Sequence, residues 1–224
     1  VNPEAILKEV FDRRGFTKGS YIFDLKVSSY EGKESKTAGV RVYFESVSKQ
    51  IVTFIEPDRL KDNSYLVIGY NTWLYQKGLQ RPIRISAKQK LFGDAGIAET
   101  VGINYLEDYK IVKTGENDTE YLYELIALNP KIAYQKAQLW INKNGPKLKE
   151  VLLLAVNGKP LKKLTYFDHH MLEGHQVATV EIQNLLLDKD QKTIMEFKSI
   201  QNRSFPIEVF DPLMMNKIYL LTQD

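Results

Sequence analysis

The feature that most limits what this chain can fold into is a period-two alternation of apolar and polar residues. It begins at Ser20 and returns after nearly every turn signal until about Gln201. Tyr21, Phe23, Leu25 and Val27 fall on one face, and Ile22, Asp24, Lys26 and Ser28 on the other. Such a pattern suits a half-buried strand and leaves a helix with no coherent apolar stripe. Further strands are expected at 37–44, with Val40, Val42 and Phe44 inward, and then at 49–55, 65–68, 72–75 and 82–86. After a break they resume at 109–114, 120–128, 133–142, 148–156, 159–168, 176–187 and 192–201. The connectors carry turn chemistry: Gly115-Glu116-Asn117-Asp118, Asn144-Gly145-Pro146, Asn157-Gly158 and Asp188-Lys189-Asp190. No long crossover helix separates these runs, so the expectation is mainly β, antiparallel architecture. With no internal repeat or Gly/Ser linker, the 224 residues are read as a single domain.

Two stretches depart from the alternation. Pro3 and Glu4 read as a first helical turn, Ile6, Leu7, Val10 and Phe11 as the apolar stripe of an N-terminal helix, and Gly15 as its stop. Residues 87–100 collect small side chains and read as one or two short helical turns within an insert spanning about 87–108. Gly93, Gly96 and Gly102 each weaken a helix by about 1 kcal/mol relative to alanine, which fits a lid that opens and equally fits an ordinary loop. From Pro206 onward the chain reads as short turns.

Composition excludes several function classes. A net charge of +3 gives no chain-wide attraction to nucleic acid. Without cysteine there is no thiol nucleophile, disulfide or Cys-ligated zinc. Elbow, zincin, phosphate-loop and dinucleotide signatures are missing, so no catalytic residue and no cofactor is assigned. His169, His170 and His175 beside Asp168 and Glu173 have metal-ligand chemistry but fall at an expected turn, where a solvated loop is the plainer reading. The pairs Glu107-Asp108 and Asp188/Asp190 also fall in turns.

The stretch 54–109 carries a family likeness. Phe54-x-Glu56-Pro57, Leu66-Val67-Ile68, Trp73-Leu74-Tyr75, Arg81-x-x-Arg84-Ile85-Ser86 and Gly102-Ile103-Asn104-Tyr105-Leu106-Glu107-Asp108 resemble the bacterial outer-membrane lipoprotein-sorting proteins, the LolA-like carriers. The likeness extends more weakly from about Ile6 to Phe210. It implies an unclosed half-barrel with an N-terminal helix and a short helical lid over its mouth. It also implies a periplasmic, monomeric carrier of acyl chains, with an inner-membrane exporter as donor, an outer-membrane receptor as acceptor, and a leader preceding Val1. No nucleic-acid partner and no metal are expected.

The aromatic content, 13 Tyr, 10 Phe and 2 Trp, is large for the few helices available to cover a sheet face. Periodicity alone favours a filled core, since aromatic stripes are usually core; the resemblance favours the hollow. The residues assigned to the groove and lid are Phe23, Phe44, Phe54, Trp73, Tyr75, Phe92, Ile97 and Val101, with Arg81 and Arg84 at a rim that grips headgroups or acidic partners. The alternative of a different class is a lipid-sensing or protein-interaction module on the same fold, which binds without transporting.

Overall fold

The computed structural model describes residues 1–187 and 190–222, so Asp188 and Lys189 of the expected 188–190 turn lie outside the described residues. The chain begins with helix α1 (Pro3–Arg14). Asn2 caps it, its side chain accepting from the Glu4 and Ala5 amides at 3.0 and 3.3 Å, and Pro3 takes a first-turn position where no amide is needed. Gly15 ends it in the left-handed region, φ 74°.

Fifteen strands follow among the described residues. The first six are β1 (Tyr21–Glu31), β2 (Glu34–Ser46), β3 (Lys49–Glu56), β4 (Asn63–Ile68), β5 (Asn71–Gln76) and β6 (Ile83–Ile85). A small hairpin, β7 (Lys90–Phe92) with β8 (Ala95–Gly96), leads into a short helix α2 (Ile97–Val101). The remaining strands are β9 (Tyr109–Glu116), β10 (Glu120–Ala127), β11 (Lys136–Asn142), β12 (Lys147–Leu154), β13 (Pro160–Leu172), β14 (His175–Asn184) and β15 (Gln191–Asn202).

Thirteen of these form one antiparallel sheet in the order β6-β5-β4-β3-β2-β1-β15-β14-β13-β12-β11-β10-β9. Two meanders, β1–β6 and β9–β15, are thus joined through the pairing of β1 with β15. The sheet does not close, because β6 and β9 are its two edges. Yet along the chain they follow one another among the strands of the large sheet, so the chain between them must travel from one edge to the other. That crossing, residues 86–108, carries β7, β8 and α2. The position of the insert is therefore a consequence of topology.

Each face of the sheet has its own core. Phe23, Leu25, Val27, Val40, Val42 and Phe44 lie on the inner face with α1 and the insert, as alternation predicts. On the outer face Ile22, Tyr43, Ile51 and Leu66 pack against Val209, Phe210, Met215 and Leu221. The segment expected as short turns is a pair of 3₁₀ stretches, Ile207–Val209 and Pro212–Thr222, that covers the outer face over β1–β5. No helix among the described residues is long and apolar enough to cross a membrane.

Candidate functional site

Expected as loosely helical and soft, the insert instead places a β-hairpin and a five-residue helix inside the half-barrel. Residues 91–100 are all buried except Gly93. Their small side chains are a requirement of close packing. Gly93 sits at φ +58°, and a Cβ there would meet Thr193 Oγ1 at 2.4 Å and Ser29 Cβ at 2.9 Å.

Polar groups from four elements of the sheet hold the insert down. Lys162 Nζ on β13 donates to the Asp94 carbonyl and to Glu99 Oε2, both at 2.6 Å. The same Glu99 oxygen accepts the Gly96 amide at 2.6 Å, and Oε1 accepts the Tyr134 hydroxyl at 2.6 Å. Thr193 on β15 accepts the Asp94 amide through Oγ1 at 2.7 Å, and Gln50 on β3 donates to the Val101 carbonyl at 3.0 Å. The Glu99 side chain is fully inaccessible and that of Lys162 is 11% exposed. In that dry setting each group is held by charge-assisted bonds that water cannot replace. Burial and the facing Glu99 carboxylate push the Tyr134 phenol far above its ordinary value, so it stays protonated and donates to Glu99. Desolvation raises the Asp94 carboxyl, although the Asn184 amide donates to it.

A cavity of about 160 Å³ remains between sheet, α1 and the segment after α2. Its floor comes from Phe23, Leu25, Val180 and Phe197, its roof from Val10, Phe11, Ile103 and Leu106. Arg14, Lys147 and His169 add polar groups to its wall. It reaches the surface near Thr17 and Val47, the latter 43% exposed. Tyr105 and Tyr166 also line it; burial raises both phenols, Tyr166 to about 12, while the Arg14 charge pulls each of them down.

Of the residues assigned from sequence, Phe23, Phe44 and Val101 line this cavity. Phe54, Phe92 and Ile97 belong to the same inner core but are packed behind the lining. Trp73 and Tyr75 are a correction: they lie on the outer face with Phe205 and Ile218, and it is Leu74 that points inward. Their aromatic character matched the expectation, but odd spacing from the inward Leu74 places them on the wrong side of the pleat. The rim assignment changes with them. Arg84 pairs across β5–β6 with Trp73, lies over its ring at 5.1 Å and donates to Asn71 Oδ1 at 2.6 Å, while Arg81 is exposed in the turn before β6.

The three histidines do not form one site. β13 runs on through His169 and His170, and the turn falls at Glu173-Gly174. His175 lies against the end of α1, its Nδ1 2.5 Å from the Arg14 carbonyl and its ring stacked on Phe16. His170 is exposed, and among the described residues no group of three or more His, Asp or Glu side chains comes within reach of a shared metal ion. Sequence reasoning passed over Arg14, Glu99, Tyr134 and Lys162. Only Glu99 left a signal, the Gly96-x-x-Glu99 spacing of a helix start.

Comparison with known proteins places this geometry. No curated protein matches the sequence. Among solved structures, a LolA superfamily protein of Nitrosomonas europaea superposes with a TM-score of 0.83 at 21% identity, covering 94% of this chain and 98% of that one. A protein of Vibrio parahaemolyticus described as an outer membrane lipoprotein-sorting domain gives 0.70 at 18% identity, covering 93% and 95%. A DUF1329 family protein of Desulfovibrio piger gives 0.72 at 13% identity, covering 94% and 98%. At such identities the likeness is one of fold. A family model described as an uncharacterized protein matches residues 46–217, more than three quarters of the chain. The chain therefore belongs to that family, and its open half-barrel with a crossing insert is the LolA-like fold.

Proposed function

We propose that this chain is a periplasmic carrier that takes acyl chains of lipoproteins or other lipids into the hollow beneath the insert and moves them towards the outer membrane. The observation that carries the reading is the apolar cavity of about 160 Å³ under an insert held by a few polar contacts, on a sheet left open along one side. An engineered cavity of about 150 Å³ holds benzene, so the closed form accepts roughly six carbons of a chain. A longer chain requires the insert to lift. Lifting exposes Glu99 and Lys162 to water and extends the apolar floor beneath Phe92 and Ile97. Each methylene then buried returns about 0.8 kcal/mol.

Binding in this scheme is non-covalent, and no residue is assigned a catalytic role. The donor is an inner-membrane exporter and the acceptor an outer-membrane receptor whose own hollow holds the chain more favourably. Transfer of a labelled acylated peptide between two vesicle populations tests the proposal. Acceleration by the protein supports it; saturable binding without transfer identifies a sensing module on the same fold, and absence of binding removes both readings.

A further inference from the structure

The cavity described above is lined mostly by apolar side chains, with Arg14, Lys147 and Tyr105 among its polar ones. The Tyr105 hydroxyl is buried with no hydrogen-bond partner among the described residues, and Tyr105 as a residue is only 3% exposed. A buried phenol left without a partner gives up a hydrogen bond it would make in water, so such groups normally face something that accepts from them. Tyr105 is held in place by packing on both sides, its ring centroid 5.8 Å from Phe11 and 5.7 Å from Tyr109. Close by, the half-buried guanidinium of Arg14 lines the same cavity with no carboxylate partner among the described residues. Lys147, likewise half-buried and unpaired, adds a second positive charge to the wall.

Glu99, the one carboxylate among the described lining residues, is already committed to Lys162, Tyr134 and the Gly96 amide. Arg14 is the last residue of α1, where the helix dipole would repel an anion. That end is partly neutralised, because the Arg14 carbonyl is met by His175 and the Asp12 carbonyl by the Gly15 amide. The sum is a donor-rich, positively charged corner closing an apolar pocket.

We propose that this corner is a subsite for the anionic head, carboxylate or phosphate, of a single-chain amphiphile whose tail occupies the apolar part of the cavity. The proposal rests on the reading that the cavity takes an acyl chain, and it adds that a free acid is held in preference to a neutral lipid. Arg14 supplies a forked pair of donors suited to a planar carboxylate or a phosphate. Tyr105 adds a single one, its hydroxyl being uncovered when the head group enters.

Calorimetric titration of the full chain with octanoate, octyl phosphate, octan-1-ol and inorganic phosphate tests it. The two anionic amphiphiles should bind at least about tenfold more tightly than octanol, the size of one hydrogen bond to a charged group. Arg14→Gln and Tyr105→Phe should each narrow that gap, weakening octanoate and octyl phosphate more than octanol. Tyr105→Phe should also keep or raise the urea midpoint of the empty protein, because it removes an unsatisfied hydroxyl. Equal affinity for octanol and octanoate overturns the subsite and leaves the acyl-chain reading standing. Failure of all three tailed ligands overturns the acyl-chain reading itself. Inorganic phosphate binding as tightly as octyl phosphate, or a Tyr105→Phe protein that is less stable yet binds octanoate normally, overturns the amphiphile subsite.

Discussion

Replacing Lys162 with methionine would remove one partner of the buried pair while keeping the length of the side chain. The Nζ–Oε2 distance is 2.6 Å and the Glu99 side chain has no accessible surface. Breaking such a pair from one side strands a buried charge and costs about 3–5 kcal/mol. The protein has two ways to relieve that charge: unfolding altogether, or lifting the insert so that Glu99 meets water. Lifting is the cheaper, since it leaves the thirteen-stranded sheet intact. The cost therefore falls on the insert's own equilibrium, and amides of residues 90–101 should exchange about a hundred- to several-thousandfold faster with solvent deuterium. Those of β1, β2 and β15 should hardly change.

Chain-length dependence gives a second readout. Past the roughly six carbons that the closed cavity accepts, the same 3–5 kcal/mol must be recovered at about 0.8 kcal/mol per methylene, which takes about four to six more. Wild-type affinity for fatty acids should thus stay nearly flat from hexanoate to about decanoate or dodecanoate and climb beyond, whereas Lys162→Met should climb throughout. Glu99→Gln combined with Lys162→Met leaves no orphan charge and should restore much of the protection. Mass-detected exchange that changes less than about tenfold in 90–101, or a single variant that loosens the whole sheet equally, would refute the reasoning.

Gly93→Ala should cost about 1–3 kcal/mol in urea unfolding, because the left-handed backbone and the contact with Thr193 both oppose a methyl group; a neutral result would mean the insert sits more loosely than described. Asp94 is raised by burial, so its folded value exceeds its unfolded one and its penalty is fully present above the folded value, fading as pH falls towards about 4. Asp94→Asn should accordingly stabilise most near neutral pH and least near pH 4, a difference read from urea midpoints across that range. Asn2→Ala should lower stability by about 1 kcal/mol through loss of the α1 cap, visible as a modest drop in thermal midpoint. Ile97→Glu, at a fully buried position, should abolish binding of a fluorescent fatty acid while exposed Lys88→Glu leaves it intact; equal effects would count against the insert as the cover of the site.

The strands were legible because alternation leaves little choice: Phe23 and Leu25 inward and Ile22 outward follow from pleat geometry alone. Side-chain identity did less well. Trp73 and Tyr75 have the chemistry of a greasy wall, yet nothing local says which face of a two-faced sheet faces the hollow, and here a distant C-terminal segment claims theirs. The glycines of the insert carried an ambiguous message. Small residues mark both a loose loop and a tight fit, and only the approach of Thr193 to Gly93 decides for the fit. Lys162 stands beside Lys163 in the sequence, and its partner Glu99 is 63 positions away. A contact of that separation leaves no trace in local spacing.

A sheet that stops short of closing leaves a row of backbone donors and acceptors bare along each border, the usual template for unwanted strand addition and fibre growth. The two borders answer this differently. β6 is three residues long and too brief to seed a neighbour, whereas β9 runs for eight residues but presents exposed Lys110, Lys113 and Glu116 along its length. Neutralising those three charges should leave the folded protein's shape unchanged while lowering the concentration at which it precipitates, since they guard solubility and contribute little to packing.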